Sequence, residues 1–146
     1  MLRTLLPSSY SNSRTKSFEY FNQVQEQSLQ KRQRRAQEIR SKYPNRYPIM
    51  VDRLNGDDPK LDRHKFLVPS EFNVGQLIYV VRTRMKIRPE IALYFFSYDP
   101  FTKQTTGSLT PSMDVSQLFI ENCSNDHYLY IGYTSETAFG SAYGSA

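Results

Sequence analysis

From Phe18 onward the apolar positions Phe18, Phe21 and Val24, then Leu29, Ala36, Ile39 and Tyr43, recur at threes, fours and sevens with charged and amide residues between them. That is the spacing of an amphipathic helix. The stripe slips between Val24 and Leu29, which leaves open one helix or two meeting near residues 26–28. Pro44 ends the second, because a proline pushes the residue before it, Tyr43, out of helical geometry. The period then changes. Residues 47–52 read as a strand with Pro48 near its start, where the missing N–H is tolerated. A turn cluster, Asn55-Gly56-Asp57-Asp58-Pro59, separates it from a second strand over residues 64–69 that Pro69 ends. Two strands joined by a short polar loop predict an antiparallel hairpin.

Asn73 with Gln76 three residues on forms a capping-box signature. Behind it Val74, Leu77, Ile78, Val81 and Met85 fall on one helical face. Arg82, Arg84 and Lys86 gather at its C-terminal end, where the helix dipole favours cations. Residues 92–98 follow as a strand, and 99–111 as a long loop of Thr, Gly, Ser and Pro. Val115, Leu118 and Phe119 fit a short helix, and residues 127–133 are an aromatic and β-branched strand. The order, helices and then ββαβ(α)β, predicts an α+β domain: a small sheet with helices on one face, with the core order of a ubiquitin roll. After Tyr133 the chain turns small and polar, which predicts a flexible tail over residues 134–140.

Composition narrows the function. No apolar run reaches membrane-spanning length, so membrane association has to come from surface contact or covalent lipid. The net charge of +5 favours acidic partners. Lys31, Arg32, Arg34, Arg35, Arg40, Lys42 and Arg46 crowd one segment, read as a solvated helix face. It lacks the zinc ligands or glycine-aromatic motif of a nucleic-acid reader, so nucleic acid is not an expected partner. The one cysteine, Cys123, excludes an internal disulfide and fits a reducing compartment. An enzyme would have to pair Cys123 with His127 or His64, with no third residue to orient the base. No enzyme is expected, nor a metal site, since one cysteine and two histidines are too few. Residues 1–17 carry Arg3, Arg14 and Lys16 and no acidic residue, a balance shared by transit peptides and disordered extensions.

Four blocks, Ile39-Arg-Ser-Lys-Tyr-Pro-Asn-Arg46, Leu61-Asp-Arg-His-Lys-Phe-Leu-Val-Pro69, Val74-Gly-Gln76 and Tyr133-Thr-Ser-Glu-Thr-Ala-Phe-Gly140, occur in this order. Together they resemble the ubiquitin-like autophagy modifiers: autophagy-related protein eight, GABA-receptor-associated protein and microtubule-associated light chain three. The resemblance covers residues 29–140. It implies a β-grasp core over 47–133, two added N-terminal helices within 18–46, the tail 134–140 and a removable segment, 141–146. It also implies that a cysteine protease cuts the Gly140–Ser141 bond behind Phe139, and that E1-like and E2-like enzymes pass the Gly140 carboxylate to phosphatidylethanolamine. No other cofactor is implied. The membrane that the resemblance implies is that of the autophagosome, with vacuole or lysosome downstream; the transit-like start leaves another organelle open.

The resemblance implies peptide capture as well. A short aromatic-x-x-aliphatic motif from a cargo receptor or adaptor adds as a strand to the hairpin's second strand, on the backbone groups of residues 65–68. Ile39, Pro48, Lys65, Leu67 and Tyr128 match the aromatic pocket; Phe66, Val68, Pro69, Phe72, Leu77 and Val80 match the aliphatic one. Arg46 and Lys65 match the contacts to acidic flanking residues. Arg35 stands where relatives carry an acid, one helical turn before Ile39, which favours more acidic motifs. Tyr128 replaces the usual phenylalanine and is expected to put a hydroxyl at the pocket rim. Two other readings remain: a peptide-binding adaptor that is never lipidated, and a binder of tubulin or acidic lipid through the basic helix.

Overall fold

The computed structural model describes residues 19–135. The expected N-terminal extension, Phe139, Gly140, Ser141 and the removable segment lie outside them. Among the described residues the order is α1 (Glu19–Gln25), α2 (Leu29–Lys42), β1 (Arg46–Arg53), β2 (Lys65–Pro69), α3 (Val74–Thr83), β3 (Leu93–Asp99), β4 (Gln104–Ser108), α4 (Val115–Asn122) and β5 (Leu129–Ser135). The strands form one sheet in the order β2-β1-β5-β3-β4. β1 and β5 run parallel at its centre and the other pairs are antiparallel. This is the expected ubiquitin-like α+β roll with two helices added before it.

The slipped stripe is resolved as two helices. Ser28 starts α2, its Oγ accepting from Lys31 N–H at 3.1 Å, while Gln27 N–H closes α1 on the Val24 carbonyl. The capping box of α3 is complete: Gln76 N–H donates to Asn73 Oδ1 and Asn73 N–H to Gln76 Oε1, both at 2.8 Å.

Helices cover both faces of the sheet rather than the one expected. Alternation along the strands shows why. Ile49, Val51, Leu129, Ile131 and Tyr133 point into a core shared with Val74, Leu77 and Val81 of α3 and Leu118 and Phe119 of α4. Their neighbours Met50, Tyr128 and Tyr130 point the other way, where Phe21 and Val24 of α1 and Ala36 of α2 meet them. β5 is consequently buried at every position. A seven-residue helix cannot stand alone in water. Phe21 holds α1 down by stacking on Tyr98 and meeting Tyr130 edge-on, each at 5.5 Å between ring centres. Burying Phe21 and Val24 is worth about 1.5–3 kcal/mol each.

Two further boundaries differ from expectation. Residues 99–111 are not all loop, since 104–108 pair with β3 as an exposed polar edge strand. β5 also runs to Ser135, two residues into the expected tail. Asp58, 2% exposed, accepts from Ser135 N–H at 2.8 Å and from Thr134 Oγ1 at 3.0 Å. The β1–β2 turn thus clamps the end of the last strand.

Candidate functional site

Strand β2 is an edge strand, and its alternation is that of a strand with one face in the core. Phe66 and Val68 are buried, whereas Lys65, Leu67 and Pro69 are half-buried. The ladder alternates too. Val51 N–H donates to the His64 carbonyl at 2.8 Å, and Ile49 faces Phe66 and Tyr47 faces Val68. Bonded pairs recur at every second residue, so Phe66 and Val68 spend their backbone groups on β1. Lys65 and Leu67 turn theirs to the open edge. Of the backbone groups expected to receive a peptide, only those of these two face outward. Pro48 and Pro69 fall at the unbonded positions of this ladder, where their missing N–H is not needed.

Between β2 and α2 lies an open groove of about 820 Å³. Ile39, Lys65 and Leu67 line it, and Pro48 stands buried behind Leu67 as its cross-strand partner. Tyr128 is not at the rim. It is 2% exposed, lies under the Lys65 ammonium at 5.5 Å from ring centre to Nζ, and packs in the α1–α2 core. Burial pushes its hydroxyl up to about 12, with the nearby Asp126 carboxylate adding to the shift. The expected rim hydroxyl is therefore a buried phenol, because the helices on this face seal the ring in.

The residues matched to the aliphatic pocket divide. Phe66, Val68 and Leu77 are core side chains, while Phe72 and Val80 are half-buried against that core and Pro69 is half-buried on the edge. An incoming side chain can reach only the latter three.

Charge sets the character of the groove. Arg35, Lys42, Arg63 and Lys65 line it against one carboxylate, Glu38. Burial, and then repulsion from Arg35, lowers the Lys65 pKa. Arg46 lies across the edge itself, its Nη1 donating to the Leu67 carbonyl at 3.1 Å. Arg63, Lys42 and Tyr43 were not assigned to the pocket from sequence. The last two lie three and four residues after Ile39, and Arg35 four before it, so helical spacing could have found them.

The basic segment is not a uniformly solvated face. Arg32 is buried, with Nε 3.0 Å from Asp126 Oδ2. Arg40 sits 4.7 Å from the centre of the Tyr47 ring, and Arg46 is on the strand edge. Only part of that charge remains for an anionic surface.

A second hollow, of about 460 Å³, opens beneath α1 beside Asp52, His64 and Tyr20. Phe21 N–H donates to Asp52 Oδ2 at 3.3 Å, and Tyr20 stacks on His64 with ring centres 4.3 Å apart. His64 Nδ1 is 2.9 Å from the Val51 carbonyl, so it carries the proton there. Burial pushes the Asp52 carboxyl up to about 6, against the pull of His64. A carboxyl raised on folding contributes stability that is full below its ordinary value and is lost as pH rises through 6. Asp52→Asn cannot ionise. Between pH 4 and pH 7 its stability should therefore gain on wild type by about 2–3 kcal/mol, measured by urea melts at both values. A pH-independent difference would show that Asp52 titrates normally.

Cys123 ends α4. Burial, then the Asp126 carboxylate, raises its thiol pKa, the reverse of what a nucleophilic thiolate needs. No helix of the described residues is long and apolar enough to cross a membrane.

The family profile described as "Autophagy protein Atg8 ubiquitin like" matches residues 31–140. Autophagy-related protein 8d of Arabidopsis thaliana is 40% identical over 117 residues, covering 79% of this chain and 91% of that protein. Autophagy-related protein 8 of Mycosarcoma maydis is 37% identical over 116 residues, 79% of this chain and 92% of that one. Among solved structures, Trypanosoma brucei ATG8 superposes with a TM-score of 0.66 at 32% identity, covering 75% of this chain and 90% of its own.

Proposed function

Because this chain belongs to the Atg8 family of ubiquitin-like autophagy proteins, we propose that it is a membrane-conjugated modifier that carries peptide-borne cargo. The family is not enzymatic, so the chemistry is done to this chain. A cysteine protease hydrolyses the Gly140–Ser141 bond behind Phe139, removing residues 141–146. E1-like and E2-like enzymes activate the freed carboxylate and transfer it to the amine of phosphatidylethanolamine, forming an amide. Two acyl chains then anchor a protein in which no helix of the described residues is long and apolar enough to cross a membrane. The tether is the segment 136–140 that follows β5, and glycine at 140 lets an enzyme groove close around the backbone. The observation that carries this reading is that the family match runs to Gly140 and ends there.

On the autophagosome membrane the β2 edge receives aromatic-x-x-aliphatic motifs by β-augmentation. The aromatic side chain enters between Ile39, Lys65 and Leu67, and the aliphatic one meets Pro69, Phe72 and Val80. Acidic flanks meet Arg46, Lys65 and Arg35.

Processing is tested by intact mass after incubating the full chain in cytosolic extract of its host, beside a Gly140→Ala control. Loss of residues 141–146 from the wild type alone supports conjugation. An unchanged mass, in extract active on another modifier, favours an adaptor that is never lipidated. Arg35 tests the charge reading. Arg35→Glu should lose about fivefold in preference for acid-flanked over neutral-flanked motif peptides, the scale of one exposed charge pair. Equal selectivity in titrations of both proteins would remove Arg35 from the contact.

A further inference from the structure

At the end of the sheet opposite β2, the other edge strand, β4, is exposed at every position. The sheet face that carries the α3–α4 core changes character here. Two residues after the buried Phe95, that face presents Ser97, and Gly107 stands opposite it in the ladder. Small side chains in place of large ones leave a groove of about 440 Å³ between β4 and α4. Backbone geometry does not demand the glycine. Its φ is not positive, and a methyl group added there would meet nothing nearer than Ser97 Oγ at 3.6 Å. That is an ordinary contact, so the hollow is space a larger residue could fill.

The charges lining this groove are all negative. Asp114 and Glu121 stand along α4 with no lysine or arginine among the lining residues, in a chain of net charge +5. Asp114 occupies the N-cap of α4 without using its side chain to cap it. Glu121 is held by a neutral partner, Gln117 Nε2, at 2.6 Å. Met113, 37% exposed, adds an apolar rim. The β2 groove, with four cations against one carboxylate, has the opposite sign. A peptide sorted by charge would go to one groove and be repelled from the other.

We propose that the β4–α4 groove docks a basic peptide, with a small apolar side chain in the hollow over Ser97 and Gly107 and a lysine or arginine against Asp114 and Glu121. The site is independent of lipid conjugation and lies at the sheet edge remote from β2. One molecule can therefore hold an acidic motif and a basic partner together.

The test is fluorescence anisotropy on the full chain with a labelled octapeptide of alternating lysine and alanine, and its glutamate-alanine counterpart. The lysine peptide should bind at least about tenfold tighter than the glutamate peptide. Gly107→Leu, which fills the hollow without changing charge, and Glu121→Lys should each weaken it about tenfold. Arg63→Glu, in the β2 groove, should not weaken it, and an acidic aromatic-x-x-aliphatic peptide should not compete. A thermal melt of Gly107→Leu confirms that it folds, and Glu121→Gln gives a second reading if it does not. Equal affinity for both octapeptides overturns the proposal, as does wild-type binding by both the Gly107 and Glu121 variants. Binding that appears only when residues 1–18 are deleted also overturns it, making that basic segment the occupant. Concentration-dependent dimerisation abolished by Gly107→Leu would overturn it in favour of a second copy of this chain.

Discussion

Asp126→Ala should cost about 3–5 kcal/mol of folding stability, the range for removing one partner of a buried ion pair. Asp126 is fully buried and ties the turn before β5 to α2 and to β5 itself. Its Oδ2 lies 3.0 Å from Arg32 Nε on α2 and 2.6 Å from the Tyr130 hydroxyl on β5, and its Oδ1 accepts from Tyr128 N–H at 3.1 Å. Alanine leaves Arg32, 8% exposed, with the Gln27 carbonyl and the face of Phe101 as its remaining partners among the described residues. The Tyr130 hydroxyl loses its acceptor as well. At about 3 °C per kcal/mol for a chain of this size, the melting midpoint should fall by roughly 10–15 °C. High salt should not narrow the gap to wild type, because the intact buried pair is poorly screened. Arg32→Ala should cost a similar amount, and the double variant less than the two singles summed. A loss below about 1 kcal/mol would mean that Arg32 finds water when its carboxylate is gone. Because α2 also carries Ile39 and Arg35, loosening this pin should weaken motif binding without touching the groove.

Leu67→Pro should weaken motif-peptide binding by about 30-fold or more, with little change in melting temperature. The N–H of Leu67 faces the open edge, so β1 does not use it, and edge strands tolerate proline. Losing that donor leaves a peptide carbonyl unpaired in the augmented sheet, worth about 1–3 kcal/mol. Losing the leucine side chain from the aromatic pocket adds to it. Leu67→Ala separates the two contributions, since it keeps the N–H. The measurement is a titration with one acidic motif peptide against all three proteins. If proline binds no worse than alanine, the peptide does not add as a strand on this edge. Phe66→Pro is the informative contrast: its N–H belongs to the β1 ladder, so that variant should unfold the hairpin rather than test the site.

The frame of the candidate site was legible in local signals, whereas its pocket residues came from the resemblance. Val68-Pro69 and Asn73 with Gln76 mark where β2 ends and α3 begins, and Lys65 to Pro69 alternate as a half-buried strand must. Its electrostatics were less so. Arg63 comes from one element and Arg35 and Lys42 from another, and only their approach across the groove makes them one field. Tyr128 shows the limit of a residue-type argument. A hydroxyl suggests a wet rim, yet the packing of α1 and α2 puts it in the core.

The amino-acid sequence alone determined the helices α3 and α4, the hairpin of β1 and β2, the aromatic last strand and the likeness to a ubiquitin-like modifier. The elements rest on period, caps and turn residues, which act over a few positions, and the likeness rests on four short blocks in a fixed order. The tertiary structure alone decided that helices cover both faces, that Gln104-Thr-Thr-Gly-Ser108 is a strand and that β5 continues to Ser135. A fully buried strand has no polar face to show which side is covered, and a polar edge strand has no apolar alternation to display. β4 exists because β3 offers it hydrogen bonds. Ser135 stays in the sheet because Asp58, 77 positions away, takes its N–H. Arg32 and Asp126 are 94 positions apart. Such contacts form when the fold closes the intervening chain, and no local pattern records them.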